Sequence, residues 1–107
     1  MLFRSQMFLI ELAQDMDAMS EKILIANELI DSNGSCCTIG VICKARGIDV
    51  AEIDYDDPHS VASRVGIAHQ MVSEIENEND DWRKETPEER WIRMRKWVDS
   101  NIKKDNK

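Results

Sequence analysis

The stretch Val61 to Glu78, VASRVGIAHQMVSEIENE, restricts this chain more than any other. Val61, Ala62 and Val65 are spaced for one face of a short helix. Gly66 can supply a tight turn, and Ile67, Met71, Val72 and Ile75 then share one face of a second helix. The apolar face of this hairpin is the expected centre of the core, and the rest of the chain must cover it.

The remainder reads as helices able to do so. Two prolines and four glycines leave few breakers in 107 residues, and the 42% of apolar residues is spread along the chain. That suffices for one modest core and predicts an all-α fold. Leu9, Leu12, Met16, Met19, Ile23, Ala26 and Ile30 recur at intervals of three or four. Residues 4–31 are therefore expected to form one long helix or two with a bend. Asp31-Ser32-Asn33-Gly34-Ser35 breaks that pattern, Gly34 ending the first helix and Ser35 capping the next. The next helix is expected from about Cys36 to Arg46, stopping at Gly47, with Ile39, Ile42 and Cys43 on one face. Gly40 in its middle costs about 1 kcal/mol relative to alanine, which close approach of another helix backbone would compensate.

Caps place the other helices. Asp49 and Glu52 are spaced like a capping box around a single turn at Val50 to Ile53. Asp57-Pro58 starts a helix with an N-cap and a proline in the first position. Thr86-Pro87-Glu88-Glu89 carries the same signature, with a glutamate three residues after the threonine. The last helix is expected from Pro87 to about Ile102, burying Trp91, Met94, Val98 and Ile102, with Trp97 beside them. Arg90, Arg93, Lys96, Lys103 and Lys104 would lie on its outer faces. The whole is expected to be a compact single-domain bundle of about five helices over residues 1–104, with a helix-turn-helix-like central hairpin. Residues 105–107 should fray.

The formal net charge of −7 is unevenly divided: residues 1–81 carry −11 and residues 82–107 carry +4. An acidic body and a basic last helix can attract each other or leave an acidic face for a basic partner. No apolar run approaches the roughly 18–20 residues that span a bilayer. No small-residue cleavage site follows the apolar patch from Met7 to Leu12. Cys36, Cys37 and Cys43 are odd in number and clustered, which fits reduced, buried thiols better than a disulfide framework. A cytoplasmic protein, monomer or homodimer, is expected.

The hairpin resembles a DNA-binding helix-turn-helix, with a small residue at Ala62, glycine at the turn, and apolar Ile67, Val72 and Ile75. His69, Gln70 and Ser73 would then face the bases. Yet Glu74, Glu76, Glu78, Asp80 and Asp81 follow, and only Arg64 offers nearby positive charge, so phosphate would be repelled. That acidic run is better suited to a basic protein surface, with Glu74, Glu76, Glu78, Asp80 and Asp81 giving the charge and Trp82 an anchor. No metal, cofactor or catalytic set is expected. The cysteines lack Cys-X-X-Cys spacing, and His59 and His69 are not at ligand spacing. Asp54, Asp56 and Asp57 lack the glycine and terminal glutamate of a calcium loop. Glu74 and Glu78 lie one turn apart, but no glycine-rich phosphate loop or fixed nucleophile–base pair accompanies them.

Four motifs together carry a resemblance over roughly residues 36–100: Cys37-Thr38-Ile39-Gly40, the Val61-Ala62 helix, Glu78-Asn79-Asp80, and Thr86-Pro87-Glu88-Glu89-Arg90-Trp91. In these the chain resembles short, all-helical proteins of phages and prophages. The resemblance implies a phage setting, the host cytoplasm, and a structural role for Asn79 or Asp80 at a helix end. Small acidic phage proteins of this kind include inhibitors of bacterial defence, anti-CRISPR proteins among them. The implied partner is a host protein or protein complex, such as CRISPR-Cas, rather than nucleic acid. A small helix-turn-helix DNA-binding regulator is the alternative.

Overall fold

In the computed structural model, five α-helices and one 3-10 turn order the described residues, 3–81 and 83–105. In chain order they are α1 (Arg4–Asp17), α2 (Thr38–Arg46), the 3-10 turn (Val50–Glu52), α3 (Pro58–Val65), α4 (His69–Asn79) and α5 (Pro87–Asp105). Among the described residues there is no strand, only an isolated antiparallel bridge between Ile30 and Cys36. The fold is the expected all-α single domain.

Local chemistry sets most boundaries. Asp57 Oδ1 accepts from His59 N at 3.0 Å, Pro58 opens α3, and Gly66 closes it at φ +79°. Thr86 N donates to Glu89 Oε1 at 2.7 Å and Glu89 N to Thr86 Oγ1 at 3.1 Å, a reciprocal capping box at the start of α5. Asp49 caps the 3-10 turn through Ala51 N, and Ile53 just beyond it is buried.

The N-terminal third departs from its periodicity. Of the one long helix or two bent ones expected over 4–31, a single helix forms, and it stops at Asp17. Asp15 and Asp17 stand in its last turn without a basic residue, which the negative end of the helix dipole disfavours. Residues 18–37 then form an irregular connector whose backbone bonds to distant elements. Leu24 N donates to Pro87 O at 3.1 Å and Asn27 N to Asp80 Oδ1 at 3.0 Å, while Cys37 N closes back within the connector on Leu29 O at 3.0 Å. Asn27 has φ +69°, a left-handed conformation that cannot continue an α-helix. The buried anchors are Leu24 and Leu29 rather than Ile23, Ala26 and Ile30 of the expected stripe.

Two smaller corrections follow from the connector. Ser35 does not cap α2; it sits in a turn closed by Asp31, whose Oδ1 accepts from Asn33 N and Ser35 N, both at 2.9 Å. The cap is Cys37, whose Sγ accepts from Gly40 N at 3.4 Å. Gly40 does mark a close approach, but to the connector and not to a helix. A Cβ there would lie 1.9 Å from the Leu29 carbonyl oxygen.

The helices pack in a chain of neighbours. α1 lies mostly along α5 and next along α2, while α4 packs on α3, α2 and α5. The hairpin therefore meets the rest of the bundle chiefly through α4 rather than lying under both terminal helices. Leu12, Met16, Ile39, Val61, Ile75 and Met94 are fully buried where these faces meet. Each such side chain contributes about 1.5–3 kcal/mol of burial.

Candidate functional site

The acidic run on α4 is divided by helix geometry. Residues two apart on an α-helix point about 200° apart, while residues four apart share a side. Glu74 is exposed. Glu78 lies on the same side but is engaged by Arg93 Nη1, at 3.1 Å. Glu76 turns inward and is only 8% exposed. Asp80 joins it on that side: its Oδ1 accepts from Asn27 N and Asn79 Nδ2, and its Oδ2 from Tyr55 Oη. Asp81 pairs with Arg83, which holds its carboxyl down at about 2. Trp82 lies outside the described residues. The expected continuous ridge is thus a set of separate groups, of which Glu76 and Asp80 belong to the interior.

Asn79 organises that interior. It is 1% exposed, and its amide is fully bonded. Its Oδ1 accepts from Thr38 N at 3.0 Å and from Thr38 Oγ1 at 2.7 Å, capping α2 from across the core. Its Nδ2 donates to Ile25 O at 2.9 Å and to Asp80 Oδ1 at 2.8 Å. Its carbonyl accepts from Arg90 Nε at 3.1 Å, and the same arginine donates Nη1 to Leu24 O at 3.2 Å. The Asn-Asp step therefore ties connector, α2, α4 and α5 together. The last helix also turns its arginines inward: Arg93 Nη2 meets Glu85 Oε1 at 2.6 Å, with side-chain exposures of 16% and 8%. Arg93 lowers the Glu85 carboxyl, and Glu85 in turn raises Arg93. Arg95 grips Asp17 of α1 through Nε and Nη2, at 2.9 and 3.0 Å. The acidic body and the basic helix thus pair within the chain.

A second acidic segment remains outside. Asp49, Glu52, Asp54, Asp56 and Asp57 are all exposed, and no Lys or Arg interrupts residues 47–63. Among the described residues none of the five has an ion-pair partner. Tyr55, half-buried between them, anchors this loop to the end of α4 through Asp80. Asp54 N donates to Ser60 Oγ at 3.1 Å and holds the loop to α3. Its charge is felt inside: burial first, then the Asp80 and Asp56 carboxylates, push Glu76 up to about 7. Sequence reading passed this loop over as caps. The signal available was five acids in nine residues with no base among them.

On the hairpin's outer face, His69 stacks on His59, with ring centroids 3.8 Å apart and the rings 29° from parallel. Gln70 is exposed and Ser73 half-exposed beside Glu74. The three thiols are buried, and burial raises each of them, Cys43 to about 11. They pack as core and hold little thiolate at neutral pH. Among the described residues no group of three or more His, Cys, Asp or Glu is placed to hold a metal ion, and no helix is long and apolar enough to cross a membrane.

Comparison with family models, curated proteins and solved structures gives no match for this chain.

Proposed function

We propose that this chain is a non-enzymatic accessory protein of a phage or prophage that acts by binding a host protein. Its target would be a nucleic-acid-handling defence complex such as CRISPR-Cas, met through a basic surface. The observation that carries this reading is the anchored acidic loop. Asp49, Glu52, Asp54, Asp56 and Asp57 present charge on a backbone fixed by Tyr55 and Ser60, with Glu74 exposed on α4. A fixed array of unpaired carboxylates suits a basic groove that otherwise takes phosphates, and it speeds encounter more than it adds affinity. The arginines that could have offset this charge for DNA binding, Arg90, Arg93 and Arg95, are engaged with the chain's own acceptors.

The test is capture of a host partner by the full chain, compared with a Glu52→Lys/Asp54→Lys/Asp56→Lys variant. The partner should be retained by the parent, released by raised salt, and lost from the variant. Retention by the variant would remove the loop from the interface, and a parent that retains nothing would remove the reading. The α3–α4 geometry keeps a DNA-binding reading in view, with His69, Gln70 and Ser73 on the exposed side. A low-salt gel shift separates the two. Micromolar DNA binding with a steep salt slope, lost on changing Gln70, would favour DNA.

A further inference from the structure

The fold encloses Glu76 without answering its charge. The residue is buried, and its Oε2 is shut off from solvent with no hydrogen-bond donor among the described residues. An ionised carboxylate in that position bears the full cost of lost hydration, whereas a protonated one bears little of it.

The surrounding groups add to the cost. Asp80 lies one turn further along α4 on the same side, where like charges repel. Its own acceptors are taken by Asn27 N, Asn79 Nδ2 and Tyr55 Oη. The loop before α3 brings the Asp56 carboxylate, and the cap of α2 brings the buried Cys37 thiol, which feels both Asp80 and Glu76. The cations of the packed elements are engaged elsewhere. Arg90 donates to Asn79 O, and Arg93 pairs with Glu78 and Glu85. On α3, His59 is turned to His69, and Arg64 is exposed. Burial first, then the Asp80 and Asp56 charges, push the Glu76 carboxyl up to about 7.

The loop that carries Asp56 is strapped to this end of α4 by few bonds. Tyr55 Oη donates to Asp80 Oδ2, and Asp54 N donates to Ser60 Oγ at 3.1 Å. Residues 53–57 contain no helix that would hold them otherwise. We propose that Glu76 is a proton-operated latch on this loop. With Glu76 protonated, Tyr55 stays on Asp80 and the loop is closed on α4. With Glu76 ionised, its proton passes to solvent, its side chain turns out to water, and repulsion of Asp56 swings Tyr55 off Asp80. The latch belongs to the chain alone. Its consequence, a carboxylate array fixed in acid and loose in base, bears on partner binding only through the function proposed above.

Tyr55 is the single tyrosine of the chain, so a carbon-13 label on tyrosine rings gives one probe of the loop. The full chain is titrated from pH 5.5 to 8.5 beside a neutral gadolinium chelate, and broadening of the Tyr55 ring signals is read together with far-UV circular dichroism. Broadening should rise about twofold or more, with helix content unchanged, as local opening exposes the ring. Its midpoint should fall near pH 7. Glu76→Gln, which keeps the shape without the charge, should hold the acid level of broadening throughout. Asp56→Asn, at an exposed position, should reduce the rise, because one repelling charge is gone. Equal broadening at both ends, a rise that survives Glu76→Gln, or loss of helix in step with the rise would each overturn the latch. The measurement uses no partner, so a chain that latches but captures no host protein loses only the function proposed above.

Discussion

Two buried polar side chains at the end of α4 determine how the interior responds to change. Replacing Asn79 with alanine strips the acceptor from the buried Thr38 amide and the donor from the half-buried Ile25 O. Asn79→Ala should cost about 3 kcal/mol in urea unfolding, well above the cost of an ordinary surface substitution. Glu76 acts through protonation. Its carboxyl stands near 7, against an ordinary 4.5, because burial and then the Asp80 and Asp56 charges disfavour the ionised form. The folded state therefore holds a proton that the unfolded chain releases between those values. The stabilisation is complete below about pH 4.5 and is lost as pH rises through about 7. Unfolding measured from pH 5 to 8 should show about 2–3 kcal/mol of decline from this group. Glu76→Gln should flatten that slope and exceed the parent's stability at pH 8. A slope that survives the substitution would assign the titration elsewhere.

At the scale of elements, Gly40 separates propensity from packing. Helix propensity alone predicts that Gly40→Ala stabilises α2 by about 1 kcal/mol. The Leu29 carbonyl, 1.9 Å from where the Cβ would stand, predicts the reverse. Gly40→Ala should lower stability by about 2–4 kcal/mol, more than Gly66→Ala. At Gly66 nothing stands in the way of a Cβ, and only the φ of +79° is penalised, by about 1 kcal/mol. Thermal melts of the two variants decide the order. The same contrast explains what was legible in the sequence. The hairpin and the caps at Asp57 and Thr86 were readable because their bonds lie within three residues. The connector was not, because Leu24 and Asn27 are held by partners far along the chain, and a helical stripe through Met19 and Ile23 imitates a longer helix. The acidic run of α4 reads as one ridge for a related reason. Acids at every second position look continuous in a sequence, but a helix sends them to opposite sides.

For the whole molecule, charge is partly architecture. Arg93 joins α4, α5 and the loop before α5 through Glu78 and Glu85. Arg93→Met should destabilise by about 1–3 kcal/mol, because it leaves the enclosed Glu85 with Arg90 alone, at 3.4 Å. Arg83→Met, which frees only Asp81 at the surface, should leave unfolding nearly unchanged. Equal effects in denaturant titrations would mean that Arg93 contributes only as a surface pair. The connector has a further consequence, in time rather than energy. Leu24 waits for Pro87 and for Arg90, 66 positions later. A ribosome making this chain must release most of α5 before the N-terminal third can close. Until then Leu24 lacks its partners on the nascent chain, within reach of chaperones. The N-terminal third completes its packing only after α5 has been made.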